Sequence, residues 1–464
     1  MRPPRADGAL IATILLATLA GTGTASGQAA PVLCRHDITV LGAAATTLEI
    51  AVACDDGTLA GDLLPADPAA AAFITAQGVV DGRARFEVDL AAFATAAADY
   101  DRALRVGGSV LASPAAILPV PFDRRRAVEL AITVTARDGA GIAIALPRGA
   151  DGSYRLSARR IRDAGEWVFG KFTRLGIAQE GDMAVVILDG PLAESAANLQ
   201  RWIADVAASN RRFWRRVPVV PAMTVILPVA GRDGIVFGRV MAAEGAVILL
   251  LLGEKARLPD LYEEWVLVHE FLHLGSPVMR DTGIWFNEGI ATYFEPILRA
   301  RAGWKTEEAV WREWLGHMTR GVPALTRSGL ARTRQGYWGG ALFLLLADVE
   351  LRRRSAGRVG VEDCLAAALR AGGHIGVRWA TRRMLDVCEG ATGGLGVVDD
   401  LAARYLLQGG AFDLDALWRD LGVGVDADGS IRYEDAAPLA WVRRSIVWGG
   451  TGRAWAPIGT YRTP

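Results

Sequence analysis

The sequence predicts an α+β chain: a β-rich N-terminal domain, a mixed central domain, and a mainly helical C-terminal region. Three observations predict it. To about residue 150 the chain alternates apolar and polar residues in short runs. After about residue 155 long helical periods are broken by brief apolar runs, and from Ala300 onward most segments carry helical spacing. A chain of 464 residues has length for two or three domains, each with its own core. The divisions read here are 1–27, 28–150, 151–300 and 301–464.

The first residues, "MRPPRADGALIATILLATLAGTGTASGQAAP", set Arg2 and Arg5 before an apolar run from Ala9 to Ala20, then small residues. This is the layout of a secretory signal peptide, cut between Ser26 and Ala30, and it predicts a periplasmic or secreted protein. A bilayer span needs about 20 apolar residues, so the run is short for one, and no stable membrane span is expected after cleavage. The alternative is a short uncleaved anchor. "PVLC", ending at Cys34, lacks the small residues expected before a lipidated cysteine. Positive charge is almost all arginine, with lysine only at Lys171, Lys255 and Lys305. With the excess of alanine and glycine, this points to a GC-rich bacterial genome.

Apolar residues make up 51% of the chain and charged residues 22%, a globular composition. Lys and Arg total 51 against 51 Asp and Glu, which excludes nucleic acid or an anionic membrane recognised by bulk charge. The four cysteines fall as local pairs, Cys34 with Cys54 and Cys364 with Cys388. Export favours two local disulfides, and the absence of C-x-x-C spacing argues against a thiolate metal site; buried free thiols are the alternative.

Along the N-terminal part, "TTLEIAVAC" alternates as a strand. "AVELAITVTARDGAGIAIAL" places Asp138-Gly139 between two alternating segments, the pattern of a β-hairpin. "LAAFATAAADYDRAL" reads equally as helix or loop. Further on, "ESAANLQRWIADVAASNRRFW" has helical spacing, while "AMTVILPV" and "GAVILLLL" are short and rich enough in β-branched residues for strands. "GGALFLLLADVELRRR" has an arginine-rich end suited to a helix C-terminus. No internal repeat is present.

The chemistry concentrates in "PDLYEEWVLVHEFLHLGSPVMRDTGIWFNEGIATYFE". Asp260 with Glu263 reads as a capping box and Gly275 with Pro277 as a stop, which predicts one helix from about 261 to 274. Residues four apart share a helix face, so Trp265, His269 and His273 form one stripe with both imidazoles aimed at a common point. Two neutral nitrogen ligands suit Zn2+, which needs a third protein ligand and an open position for catalysis. Glu270 lies beside the histidines but off their spacing, the place of a general base acting on water at the open position. "WFNEGIATYFE" supplies the third ligand, Glu288, near the start of a second helix. Glu295, about two turns later, can accept a ligand histidine's free ring N–H or stand as a solvated carboxylate. A chain with five histidines rarely produces this pattern by chance. His36, His317 and His374 have no metal-like spacing and read as surface or boundary residues.

"HEFLH" followed by "WFNEGIATYFE" resembles the gluzincin zinc metallopeptidases, whose pattern is a paired-histidine helix and a W-x-x-E-G helix carrying the glutamate ligand. The later "GYWGGALFLLLADVELRRRSAGRVGVEDCLAAAL" and "LAARYLLQGGAFDLDALWRDLGVG" are similar to the glycyl-aminopeptidase-like branch of that clan, a peptidase MA-like family. The likeness covers about 200 to 440. It implies a thermolysin-like catalytic domain at 151–300, completed by the helical region at 301–464. It further implies zinc held by His269, His273 and Glu288, water activated by Glu270, and Tyr337 donating a hydrogen bond to the oxyanion. From the residues alone, Gly336, Gly339 and Gly340 allow close backbone approach around Tyr337, whose other reading is an amphipathic boundary residue.

The chain departs from that pattern in two ways. The gap from His273 to Glu288 is shorter than in many aminopeptidases of the clan, and no tryptophan-asparagine pair follows the second histidine directly. Those aminopeptidases also carry a glutamate that holds the substrate's free amine; in the corresponding place stands "FGRVMAAEGAVILLLL", where Glu244 is the only acidic candidate for substrate binding. The run Gly245 to Leu252 is expected as an edge strand to which an extended peptide adds. The function expected is an exported zinc metallopeptidase acting on peptide or protein substrates. The alternative is a non-catalytic exported peptide-binding protein that retains a peptidase fold, and zinc-assisted hydrolysis of a non-peptide bond would use the same residues.

Overall fold

The computed structural model describes residues 30–57, 62–121, 127–178, 181–332, 336–449 and 458. The leader read at 1–27 lies outside them. Three sheets and a helical layer stack in sequence order. The first sheet has six strands, ordered Tyr154–Ser157, Val128–Ala136, Val32–Leu41, Thr47–Cys54, Arg83–Asp89 and Ile74–Val80. The second has four, ordered Gly141–Ala143, Trp167–Gly170, Ser109–Ala112 and Ala103–Val106. Alternation within the second sheet explains its two buried faces. Trp167 and Phe169 enter the core shared with the six-stranded sheet, while Val168 and Leu111 face the other way, onto the third sheet. Strand pairing within these two sheets runs on to Gly170, past the division read at 150. "LAAFATAA" forms a helix, Leu90–Ala97, whose N-terminus is capped by the Asp89 carboxylate.

Asp138 and Gly139 do make a tight turn, both at positive φ (60° and 76°), but not the hairpin expected. The strand before it joins the six-stranded sheet and the strand after it joins the four-stranded one, because each has an apolar face claimed by a different core. His36, read as a surface or boundary residue, is 0% exposed on the central strand, where the alternating side chains face the sandwich interior. Both expected disulfides are present: Cys34–Cys54 joins directly paired strands, and Cys364–Cys388 joins helices Val361–Arg370 and Thr381–Ala391.

The third sheet is ordered Phe172–Gly176, Met183–Leu188, Ala222–Val229, Ala246–Gly253 and Ile235–Ala242. Its three inner strands are parallel, linked first by helix Ala196–Trp214. "AVILLLL" is continuously apolar because the strand is buried on both faces: Val247 and Leu249 meet the four-stranded sheet, Ile248 and Leu250 meet the helices. That strand is interior, not the edge expected of it. The antiparallel strand Ile235–Ala242 covers it and forms the sheet edge.

The helical layer packs on the far face of this sheet, built around Trp285–Ala302 and Gly336–Ser355 and extended by helices out to Ala440–Trp448. The single helix expected over 261–274 is two pieces, Leu258–Glu263 and Val266–His273. Asp260 lies in the first turn of the first piece and caps nothing; the break is Glu264, extended at ψ 141°. The Glu264 carboxylate accepts the Ile235 N–H, tying the break to the start of the edge strand. Among the described residues no helix is long and apolar enough to cross a membrane.

Candidate metal centre

Every residue of the helix Val266–His273 is buried, with Leu267, Phe271 and Leu272 anchored in the main core. The two imidazoles are thereby fixed on one face, ring centroids 4.9 Å apart. The second helix enters with Glu288 in its first turn. Glu288 Oε2 lies 3.2 Å from His269 Nε2 and 3.7 Å from His273 Nε2. One ligand atom from each of the three residues falls within 4.8 Å of the others, and among the described residues this is the one such group. Two imidazole nitrogens and one carboxylate, held rigidly and mostly buried, are a donor set that fits a divalent cation of zinc's kind.

The protonation states suit that use. Burial, reinforced by His269, pushes the His273 pKa down to about 4, so its ring is neutral at pH 7 and the 3.7 Å contact is not an ion pair. Burial alone would raise Glu288; the hydrogen bond from His269, the neighbouring imidazoles and the Tyr337 hydroxyl outweigh it and hold the carboxyl below its usual range. Glu270 is 8% exposed, and burial, with the Glu288 charge adding, raises its pKa to about 7. A carboxylate so poised both takes and returns a proton near neutrality. Its orientation comes from the edge strand, where the Val240 N–H donates to it. The strand can approach because residue 238 is glycine: a Cβ there would stand 2.5 Å from Val266 Cγ1 and 3.3 Å from Glu270 Cγ.

Tyr337 opens the helix Gly336–Ser355, its hydroxyl donating to Glu288 and its ring stacked 5.9 Å from His269. Burial, then the Glu288 and Glu270 charges, lift its pKa to about 12, so it is a hydrogen-bond donor at any working pH. Two predicted residues are not brought to this cluster. The Glu295 carboxylate is buried against Arg299 at 2.9 Å, and Glu244 accepts the Ser157 N–H at 3.2 Å, facing the six-stranded sheet. Beside His269 and Tyr337 opens a cavity of about 960 Å³, with Trp265 and Trp338 among its walls and the Glu295–Arg299 pair lining it. The edge strand with Gly238 and Val240 is not among the elements expected from the sequence. Its signal was present: the β-branched run "IVFGRVMA" lies between the turn pairs Asp233-Gly234 and Glu244-Gly245.

The sandwich of sheets, the mixed sheet with an antiparallel edge and the helical layer that carries the His-His-Glu cluster make a fold similar to that of an aminopeptidase N family protein. No protein-family model matches the sequence, and no curated protein matches it. Among solved structures, the chain is similar to an aminopeptidase N family protein from Idiomarina loihiensis, with a TM-score of 0.59 at 14% identity over 85% of this chain and 79% of that one. It is also similar to an M1 zinc metallopeptidase from Deinococcus radiodurans, at TM-score 0.46 and 15% identity over 81% of this chain and 94% of that one. The likeness is one of fold.

Proposed function

We propose that the chain is an exported zinc-dependent peptidase that hydrolyses peptide bonds. One observation carries the reading: three ligand atoms converge within 4.8 Å, with a carboxylate near pKa 7 beside them that is not itself in the ligand set. His269, His273 and Glu288 would hold zinc, which when bound polarises a carbonyl and makes water acidic near pH 7. Glu270, steadied by the Val240 N–H, takes the proton of the attacking water and passes it to the leaving amine. Tyr337 donates its hydroxyl hydrogen to the carbonyl oxygen as negative charge develops there. The outer side of the edge strand Ile235–Ala242 offers backbone groups to an extended peptide. Glu295 belongs to a buried ion pair, and Glu244 ties the third sheet to the first. Two disulfides and the leader pattern support export.

The experiment compares the wild-type chain with Glu270→Gln on a mixed peptide pool, with and without chelator, alongside metal analysis. Equal zinc content and a loss of about 10²- to 10⁴-fold in turnover are expected for the variant. Zinc binding without any cleavage by the wild type would leave the protein a peptide binder.

A further inference from the structure

Beyond the cluster the molecule offers a charged cavity beside His269, the exposed strand Ile74–Val80 at the edge of the six-stranded sheet, and carboxylates around the cleft. The cavity's charges are largely neutralised in pairs, and nothing indicates what would cover the exposed strand.

A peptidase that requires a free amino terminus must offer the substrate's ammonium group an unspent carboxylate within a residue's reach of the cut bond, because an ammonium taken from water unpaired is costly. Among the described residues around this cleft, the carboxylates are engaged by donors of the chain itself. Arg239, on the edge strand next to Gly238, holds both Asp101 and Glu166, and Glu166 is only 2% exposed. Glu264 accepts the Ile235 N–H, Glu295 is taken by Arg299 and Glu313 by Lys305. Glu263, on the same cavity, is engaged as well. Glu270 and Glu288 are the base and the ligand. The one charged side chain on the edge strand is a cation, Arg239, held by Asp101 and Glu166 and stacked over Tyr100.

The rim is apolar and open instead. Trp265 is 47% exposed, Ile284 55% and Val236 39%. Each lies beside the chemistry: the Trp265 ring is 5.1 Å from His269, Ile284 caps the helix carrying Glu288, and Val236 is two residues from Gly238. Exposed apolar groups clustered about a reactive centre favour apolar side chains of the substrate on both sides of it.

We infer that the site cuts within polypeptide chains, at bonds flanked by apolar residues, without recognising a free amino terminus. This rests on the peptidase reading above. The test uses the zinc-loaded full mature chain and two fluorogenic peptides of one apolar sequence, one with a free and one with an acetylated amino terminus; Glu270→Gln serves as the blank. Cleavage of both at the same internal bond, at rates within about threefold, is expected; loss of a paired ammonium would cost about tenfold or more. Stepwise release from the free peptide only, with the acetylated one slowed beyond that tenfold, overturns the inference and leaves an aminopeptidase. If neither peptide is cut faster than by Glu270→Gln, the peptidase reading fails and the inference falls with it.

Discussion

Gly340 lies so close to Gly289 that a Cβ built on it would stand 2.7 Å from the Gly289 Cα and 2.0 Å from the Trp285 carbonyl oxygen. This is where the helix carrying Tyr337 crosses the helix carrying Glu288. Contact of backbone on backbone brings the tyrosine hydroxyl to the Glu288 carboxylate. A single methyl at Gly340 must push the helices apart, and overpacking of this kind costs about 1–3 kcal/mol. Gly340→Ala is expected to lower the melting temperature and to reduce kcat by moving Tyr337 off the centre. Wild-type melting and turnover in this variant would show that the crossing does not position Tyr337.

The hydroxyl can be removed while the ring stays. Tyr337→Phe keeps the stack on His269. A group that acts only as charge develops affects kcat and not ground-state binding, so the variant is expected to lose about 10²- to 10³-fold in kcat with little change in KM. A raised KM with unchanged kcat would make Tyr337 a substrate-binding residue instead. Steady-state kinetics on one cleaved peptide separates the two.

Part of this centre was legible in the residues. The spacing of His269 and His273 carries its own geometry, since a helix puts residues four apart on one face whatever surrounds it; Glu288 stands on a separate helix and reaches them through the packing of the two. Glu270 was placed beside them by the same periodicity. What failed was decided by distant partners with no sign in the local sequence. The break at Glu264 depends on the Ile235 N–H, and the choice of edge strand depends on which neighbour pairs with Ala246–Gly253. Glu295 and Glu244 carry no local sign that Arg299 and Ser157 take them. The Asp138-Gly139 turn was correctly located from dihedral chemistry, but the destination of the strands it joins is a tertiary matter.

Metal binding has a readout independent of turnover. A ligand that binds only the folded state stabilises it by about 2.7 kcal/mol at a hundred times its Kd. Adding zinc to chelator-stripped protein is expected to raise the melting temperature. His273→Ala should lose that response, because the ring is one of only two imidazoles in the set. An equal zinc-dependent rise in His273→Ala would place the metal elsewhere.

His36 supplies a pH dependence far from the centre. It is fully buried, and its Nε2–H donates to the Pro119 carbonyl at 2.7 Å. Burial drives its pKa below the ordinary 6.5, against the two backbone hydrogen bonds and Asp37, so the folded state holds the ring neutral while the unfolded chain protonates it. Below pH 6.5 the unfolded state binds the extra proton, so stability is complete above that pH and is lost as pH falls toward the folded value. The limiting slope for one such group is about 1.4 kcal/mol per pH unit. Urea midpoints from pH 7.5 down to pH 5 are expected to decline more steeply in the wild type than in His36→Gln, which keeps an amide donor for Pro119 and has nothing to protonate. Parallel declines in the two proteins would assign the acid sensitivity to other groups.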